Sequence, residues 1–131
     1  MSMPELKLVG AYGSPYSRKM RAVLRYRHIP FQWLLRENGA KDVPPVPVAL
    51  IPVLVIPGEN GAAPSAMVDS TFQIRRLEQL YAGRSVIPSD PALAFLDELI
   101  EDYADEWLTK AMFHYRWGYA EDARKASRVL P

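Results

Sequence analysis

The chain has 131 residues, of which 49% are hydrophobic and 24% charged, with a formal net charge of +1 and no cysteine. Such a length suits one globular domain, or one domain and part of another, and the ordinary composition excludes wholesale disorder. No apolar run approaches the ~18 residues of a membrane span, and the lack of cysteine excludes disulfides, thiolate metal sites and a thiol nucleophile of the chain's own.

The first residues, MSMPELKLVG, have neither a basic leader nor a long apolar run, so no secretory signal and a cytoplasmic setting are expected. Residues 5–9 alternate, with Leu6 and Leu8 on one face, which predicts a short strand. Ser14 followed by Pro15 has the form of a helix start, a serine cap and then a proline in the first helical position. Tyr16, Met20, Val23 and Leu24 share one face of that helix. Arg18, Lys19, Arg21, Arg25 and Arg27 mostly face elsewhere, and the later ones suit the negative helix end. Pro30 stops the helix. Residues 31–36 alternate again, with Phe31, Trp33 and Leu35 together. Strand, helix and strand at this spacing predict a right-handed crossover with parallel strands.

Pro44, Pro45 and Pro47 break the next stretch, so any helix there is short, around residues 38–43. The run 48–56 is apolar and β-branched, and Pro52 is tolerated if it opens the strand. A turn at 57–64 and a partner strand at 66–68 complete an antiparallel hairpin. Ser70 and Gln73 have capping-box spacing at the start of the next helix. Ile74, Leu77, Leu80 and Tyr81 form that helix's stripe, and Gly83 ends it. After the segment 84–90, Asp90 and Pro91 open a third helix, expected to run to Trp117. Phe95, Leu99, Tyr103 and Trp107 recur along it at helical spacing. The tail beyond Gly118 is too short to pack much alone.

Charge is uneven along the chain. Residues 1–36 hold seven Lys or Arg and one Glu, while residues 91–106 hold six Asp or Glu and no Lys or Arg. The basic run reads as a solvated helix face, without the aromatic interleaving of a nucleic-acid groove, so neither a nucleic-acid nor a membrane partner is expected. His28 and His114 lack metal-ligand spacing, and no metal site is expected.

The element order predicts an α/β fold: a mixed four-stranded sheet with helices on its faces, in the thioredoxin-like arrangement, followed by one long helix. Within that order the sequence resembles the glutathione transferase family, over roughly residues 5–117. Three segments carry the resemblance. The first is YGSPYSRKMRAVL, with a serine at the strand-to-helix turn and an arginine four residues on. The second is Ile51-Pro52-Val53-Leu54, similar to the family's V/I-P-x-L. The third is Asp69-Ser70 followed by TFQIRRLEQLY.

The resemblance implies a thioredoxin-like glutathione-binding domain over residues 1–82 and a linker at 83–90. Residues 91–131 would be the first helix and tail of an incomplete all-α domain. It implies a transferase of the serine type, which binds glutathione and activates its thiol for attack on a small electrophile, with a homodimer as the usual assembly. Ser14 is then the catalytic residue, donating from its hydroxyl to the glutathione sulfur at a helix N-terminus that favours anions. On the residues alone, Ser14 serves as a helix cap. Glutathione would pair its backbone with Ile51 beside a cis Pro52. Asp69 and Ser70 would hold the γ-glutamyl amine and carboxylate, and Lys41 the glycyl carboxylate. Tyr103 would border the acceptor pocket. Ser14-Pro15-Tyr16-Ser17 also resembles a glutaredoxin CPYC with both cysteines replaced, which excludes dithiol exchange by this chain. Ser17 is read as structural, and Tyr12 as packing rather than a second hydroxyl donor.

The alternative is a non-catalytic interaction module on the same fold. A helix of about 40 Å at 1.5 Å per residue bearing Phe95, Leu99, Trp107, Phe113 and Trp117 exposes more apolar surface than a small sheet covers. The chain is therefore expected to be truncated or to be completed by another chain.

Overall fold

The computed structural model describes residues 5–36, 43–58 and 61–128. Lys41 and nearly all of the short helix expected at 38–43 lie outside the described residues. The chain divides into two compact units, the first ending at Val86 and the second beginning at Ile87.

The first unit runs β1 (Leu6–Gly10), α1 (Pro15–Tyr26), β2 (Phe31–Leu35), β3 (Val53–Ile56), β4 (Ser65–Met67) and α2 (Ser70–Leu80). The sheet order is β2-β1-β3-β4. β1 pairs parallel with β2, while β3 is antiparallel to both β1 and β4. This is the expected mixed four-stranded sheet.

Period-2 alternation divides the side chains between the two faces of the sheet. Leu6, Leu8 and Leu54 pack with Met20 and Leu24 of α1 and with Ile74 and Leu77 of α2. Val9, Val53 and Val55 form a second cluster, covered in part by Val43 and Val46. Each fully buried aliphatic side chain of this kind contributes about 1.5–3 kcal/mol.

Two local expectations are corrected. Ser70 is not the cap of α2. That position belongs to Asp69, whose side chain accepts from the Thr71 amide, and Ser70 is the first helical residue. Gln73 does not reach back to the cap as a capping box would require, because its amide is turned inward. Arg27 does not face solvent either. It is 6% exposed, pairs with Glu78 at 3.1 Å, and donates to the carbonyls of Tyr81 and Gly83. The chain leaving α2 needs partners for those carbonyls, and the guanidinium at the end of α1 supplies several donors in one plane.

The second unit is helical. It contains α3 (Pro91–Asp102), a π-helical segment at Tyr103–Leu108, α4 (Thr109–Trp117) and α5 (Ala120–Ala126). Asp90 caps α3 by accepting from the Ala92 and Leu93 amides, with Pro91 in the first turn. The expected helix from 91 to 117 is thus continuous, but widened in its middle. Thr109 donates from its hydroxyl to the Asp105 carbonyl at 2.9 Å where the widened stretch returns to α geometry. Phe95 and Trp107 remain 65% and 60% exposed. The tail, expected to stay without packing of its own, forms α5. Among the described residues, no helix is long and apolar enough to cross a membrane.

Candidate functional site

Strand register brings three sequence segments together. β1 ends at Gly10, and the turn to α1 carries Ser14. Val53 lies opposite Val9, so Pro52 sits beside that same end of β1. Met67 lies opposite Leu54, so the chain leaving β4 passes to Asp69 and Ser70 at that end as well. Ser14, Ile51, Pro52 and Asp69 therefore lie in loops at one end of the sheet, and Ser70 opens α2 at that same end.

Ser14 is 8% exposed and caps α1, with its hydroxyl oxygen accepting from the Ser17 amide at 3.2 Å. A serine hydroxyl has one proton and two acceptor positions. Capping uses an acceptor position and leaves the proton to be donated, so capping and donation to a ligand are compatible on one atom. The fully buried Ser17 hydroxyl accepts from the Ala11 amide at 3.3 Å, which ties the turn to the helix. Gly10 makes this possible, since a Cβ there would collide with the Ser17 hydroxyl and come within 2.9 Å of the Trp33 ring.

Tyr12 packs its ring in a cluster with Trp33 and Arg21. Its ring lies 5.8 Å from Trp33, and the Arg21 guanidinium sits 5.3 Å from the Tyr12 ring and 4.8 Å from the Trp33 ring.

The Ile51–Pro52 bond is cis. Pro52 is buried, and its carbonyl accepts from the Gln73 side-chain amide at 2.8 Å. The same amide nitrogen donates to the Met67 carbonyl at 2.9 Å. One side chain of α2 therefore fixes both the proline turn and the end of β4.

Asp69 has φ of +74°, a left-handed value that costs a non-glycine residue of order 1–3 kcal/mol. That backbone turns Ser70 inward, where it is 4% exposed. Its hydroxyl accepts from the ammonium of Lys19 at 3.2 Å.

Lys19 and Gly10 were not singled out from the sequence as site residues, and Gln73 was read only as a capping-box partner. Gln73 had a legible signal, since it lies in line with Leu77 and Leu80 on an otherwise apolar stripe. Lys19 had none, because its contact spans 51 residues. Tyr103 belongs to the second unit, where it opens the π-helical segment and is 54% exposed. Among the described residues, no group of three or more His, Cys, Asp or Glu could hold a metal ion. An open cavity of about 440 Å³ lined by Glu5, Lys7, Gln32 and Val55 contains none of the expected site residues.

A family profile described as glutathione S-transferase, N-terminal domain, matches residues 8–85. A probable glutathione S-transferase of Oryza sativa subsp. japonica, GSTU6, is 25% identical over 134 residues, covering 95% of this chain and 54% of that protein. A tau-class glutathione S-transferase from mango, Mangifera indica, superposes with a TM-score of 0.67 at 25% identity, over 93% of this chain and 55% of that one. A glutathione S-transferase from Methylobacterium radiotolerans, solved in complex with glutathione sulfonate, gives a TM-score of 0.70 at 21% identity, over 97% of this chain and 62% of that one. The chain spans about half the length of the curated relatives it matches.

Proposed function

The chain belongs to the glutathione S-transferase family, and on that premise we propose that it binds glutathione at the end of the sheet and that Ser14 activates the bound thiol. The observation that carries this reading is the Ser14 hydroxyl, which accepts from the Ser17 amide and so keeps its proton for a ligand. A sulfur placed there receives that proton as a hydrogen bond, and it faces the positive end of α1. Both effects favour the thiolate and lower its pKa. The thiolate then forms a carbon–sulfur bond with an electrophile, and the leaving group departs with the electron pair of the bond that breaks. The chain has no cysteine, so the nucleophile is the substrate's own thiol.

In this reading, the main chain of Ile51 pairs with the cysteinyl backbone of glutathione beside Pro52, as an added strand. Asp69 takes the γ-glutamyl amine and Ser70 its carboxylate, with Lys41 assigned to the glycyl carboxylate and Tyr103 to the acceptor side. Homodimer formation goes with the reading, supported by the apolar side chains exposed on the helices of the second unit. Retention on immobilised glutathione, elution by free glutathione, and conjugation of an activated aryl halide test it together.

A second reading, an interaction module without catalysis, draws support from the same exposed residues, among them Phe95, Leu99 and Trp107. A folded chain that ignores glutathione in calorimetry would favour it.

A further inference from the structure

We propose that Arg21 is a positioning residue for Ser14, acting through the ring of Tyr12. The proposal rests on the glutathione reading above. Arg21 follows Ser17 by four residues on α1, so the two side chains are neighbours on one helix face. Its half-buried guanidinium lies over two rings, 5.3 Å from the centroid of Tyr12 and 4.8 Å from that of Trp33. Both distances are within the ~6 Å at which a ring face attracts a cation. The two rings are inclined at 49° to each other, and a planar guanidinium can stack on both. The Nε of Arg21 and the Nε1 of Trp33 are buried without a hydrogen-bond partner among the described residues. Stacking, and not a hydrogen bond from Nε, therefore holds the guanidinium in place.

The turn from β1 to α1 is tied to the helix start at two points. Ala11 donates its amide to the Ser17 hydroxyl and accepts from the Ser14 amide at 3.2 Å, while the Ser14 hydroxyl accepts from the Ser17 amide. Tyr12 stands between those points, and its side chain is the anchor on the side of β2. The ring of Trp33 also lies within 2.9 Å of where a Cβ on Gly10 would stand, so β2 braces the same turn from below. Tyr12 is 58% exposed, so burial alone does not fix it, and the cation over its ring does. A hydroxyl that donates to sulfur must be held to a fraction of an ångström, and small displacements from a distant change are costly. Arg21 thus acts on the aim of the Ser14 hydroxyl and not on the residues assigned to the rest of the ligand.

The test separates binding from thiol activation. Calorimetry gives the affinity for S-methylglutathione, whose sulfur cannot ionise, and thiolate absorbance gives the pKa of bound glutathione. Wild-type protein is expected to bind both and to lower the thiol pKa. Arg21→Met is expected to lose at least half of that lowering, while its affinity for S-methylglutathione stays within about twofold of wild type. Tyr12→Leu keeps the Arg21 charge and is expected to lose as much. In a Ser14→Ala background neither change is expected to move the thiol further. A wild-type thiol pKa in Arg21→Met overturns the proposal, whatever happens to affinity or stability. A loss in Arg21→Met that Tyr12→Leu does not share also overturns it, because the guanidinium would then act by charge alone. So does a further loss in the Ser14→Ala background. If Arg21→Met does not fold, the change at exposed Tyr12 decides, and a wild-type thiol pKa there overturns the proposal. Wild-type protein that binds no S-methylglutathione, or that leaves the thiol of glutathione unshifted, overturns the glutathione reading instead.

Discussion

The side-chain amide of Gln73 donates to the carbonyl of Pro52 at 2.8 Å and, from the same nitrogen, to the carbonyl of Met67. Gln73 is fully buried, so no water can take its place. Replacement by leucine leaves two carbonyls without that donor. Gln73→Leu is expected to lower stability by about 1–3 kcal/mol, read as a reduced urea midpoint. It is also expected to weaken glutathione binding, because the turn that carries Ile51 loses its tie to α2.

Ser14→Ala removes both the cap of α1 and the proposed donor to sulfur. Loss of the cap costs about 1 kcal/mol. Loss of the donor raises the pKa of bound glutathione toward that of the free thiol, seen as a smaller thiolate absorbance near neutral pH. The chain contributes no thiol to that signal. Identical thiolate titrations for the two proteins would remove Ser14 from the chemistry and leave it as a cap.

Gly10→Ala puts a methyl against the Ser17 hydroxyl and within 2.9 Å of Trp33. Strand backbone accommodates alanine readily, so the cost is crowding, about 1–3 kcal/mol. Unchanged thermal stability would mean that the turn shifts freely. In that case Ser14 is less rigidly held than these contacts imply.

Arg27→Met is expected to be the most damaging of these changes, at about 3–5 kcal/mol, because it removes the cation paired with the Glu78 carboxylate, which then keeps the Val86 amide, and strips donors from the Tyr81 and Gly83 carbonyls. Arg27→Lys should recover only part of the loss, since one ammonium cannot reproduce the planar fork. Chemical denaturation of the two variants orders them.

Burial raises the Tyr81 hydroxyl above the ordinary tyrosine value of 10.0. The folded state therefore favours the neutral phenol more than the unfolded state does. That contribution is present below the unfolded value and is lost as pH rises through the raised one. The urea midpoint should fall above pH 10, and the fall should be shallower in Tyr81→Phe.

The elements were legible where local chemistry repeats. Alternation marked β1 and β2, and Ser14-Pro15 and Asp90-Pro91 marked two helix starts where they occur. The one-residue error at α2 has a specific cause. A serine with Gln three residues on matches a capping box, but Asp69, itself a favoured cap residue, takes that position with a positive φ, one residue earlier. The candidate site was legible as residue types in three segments, which the strand register brings to one end of the sheet. The side chains that join those segments were not, because Lys19–Ser70 and Gln73–Pro52 depend on how β1, β3 and β4 are aligned. The role of Arg27 was hidden for the same reason, as its partners lie 51 or more residues away in sequence.

β4 is three residues long and, among the described residues, stands at the sheet edge, paired with β3. Short edge strands open more readily than central ones. An opening confined to β4 would disturb the path to Asp69 and Ser70 while leaving β1 and the Ser14 turn in place. Amide exchange should therefore be fastest along Ser65–Met67 and slowest in β1. On the proposed reading, mild denaturant would first produce a form that has lost the residues assigned to the amino-acid head of glutathione yet keeps the Ser14 hydroxyl assigned to its sulfur. Recognition and chemistry would thus fail at different concentrations of denaturant.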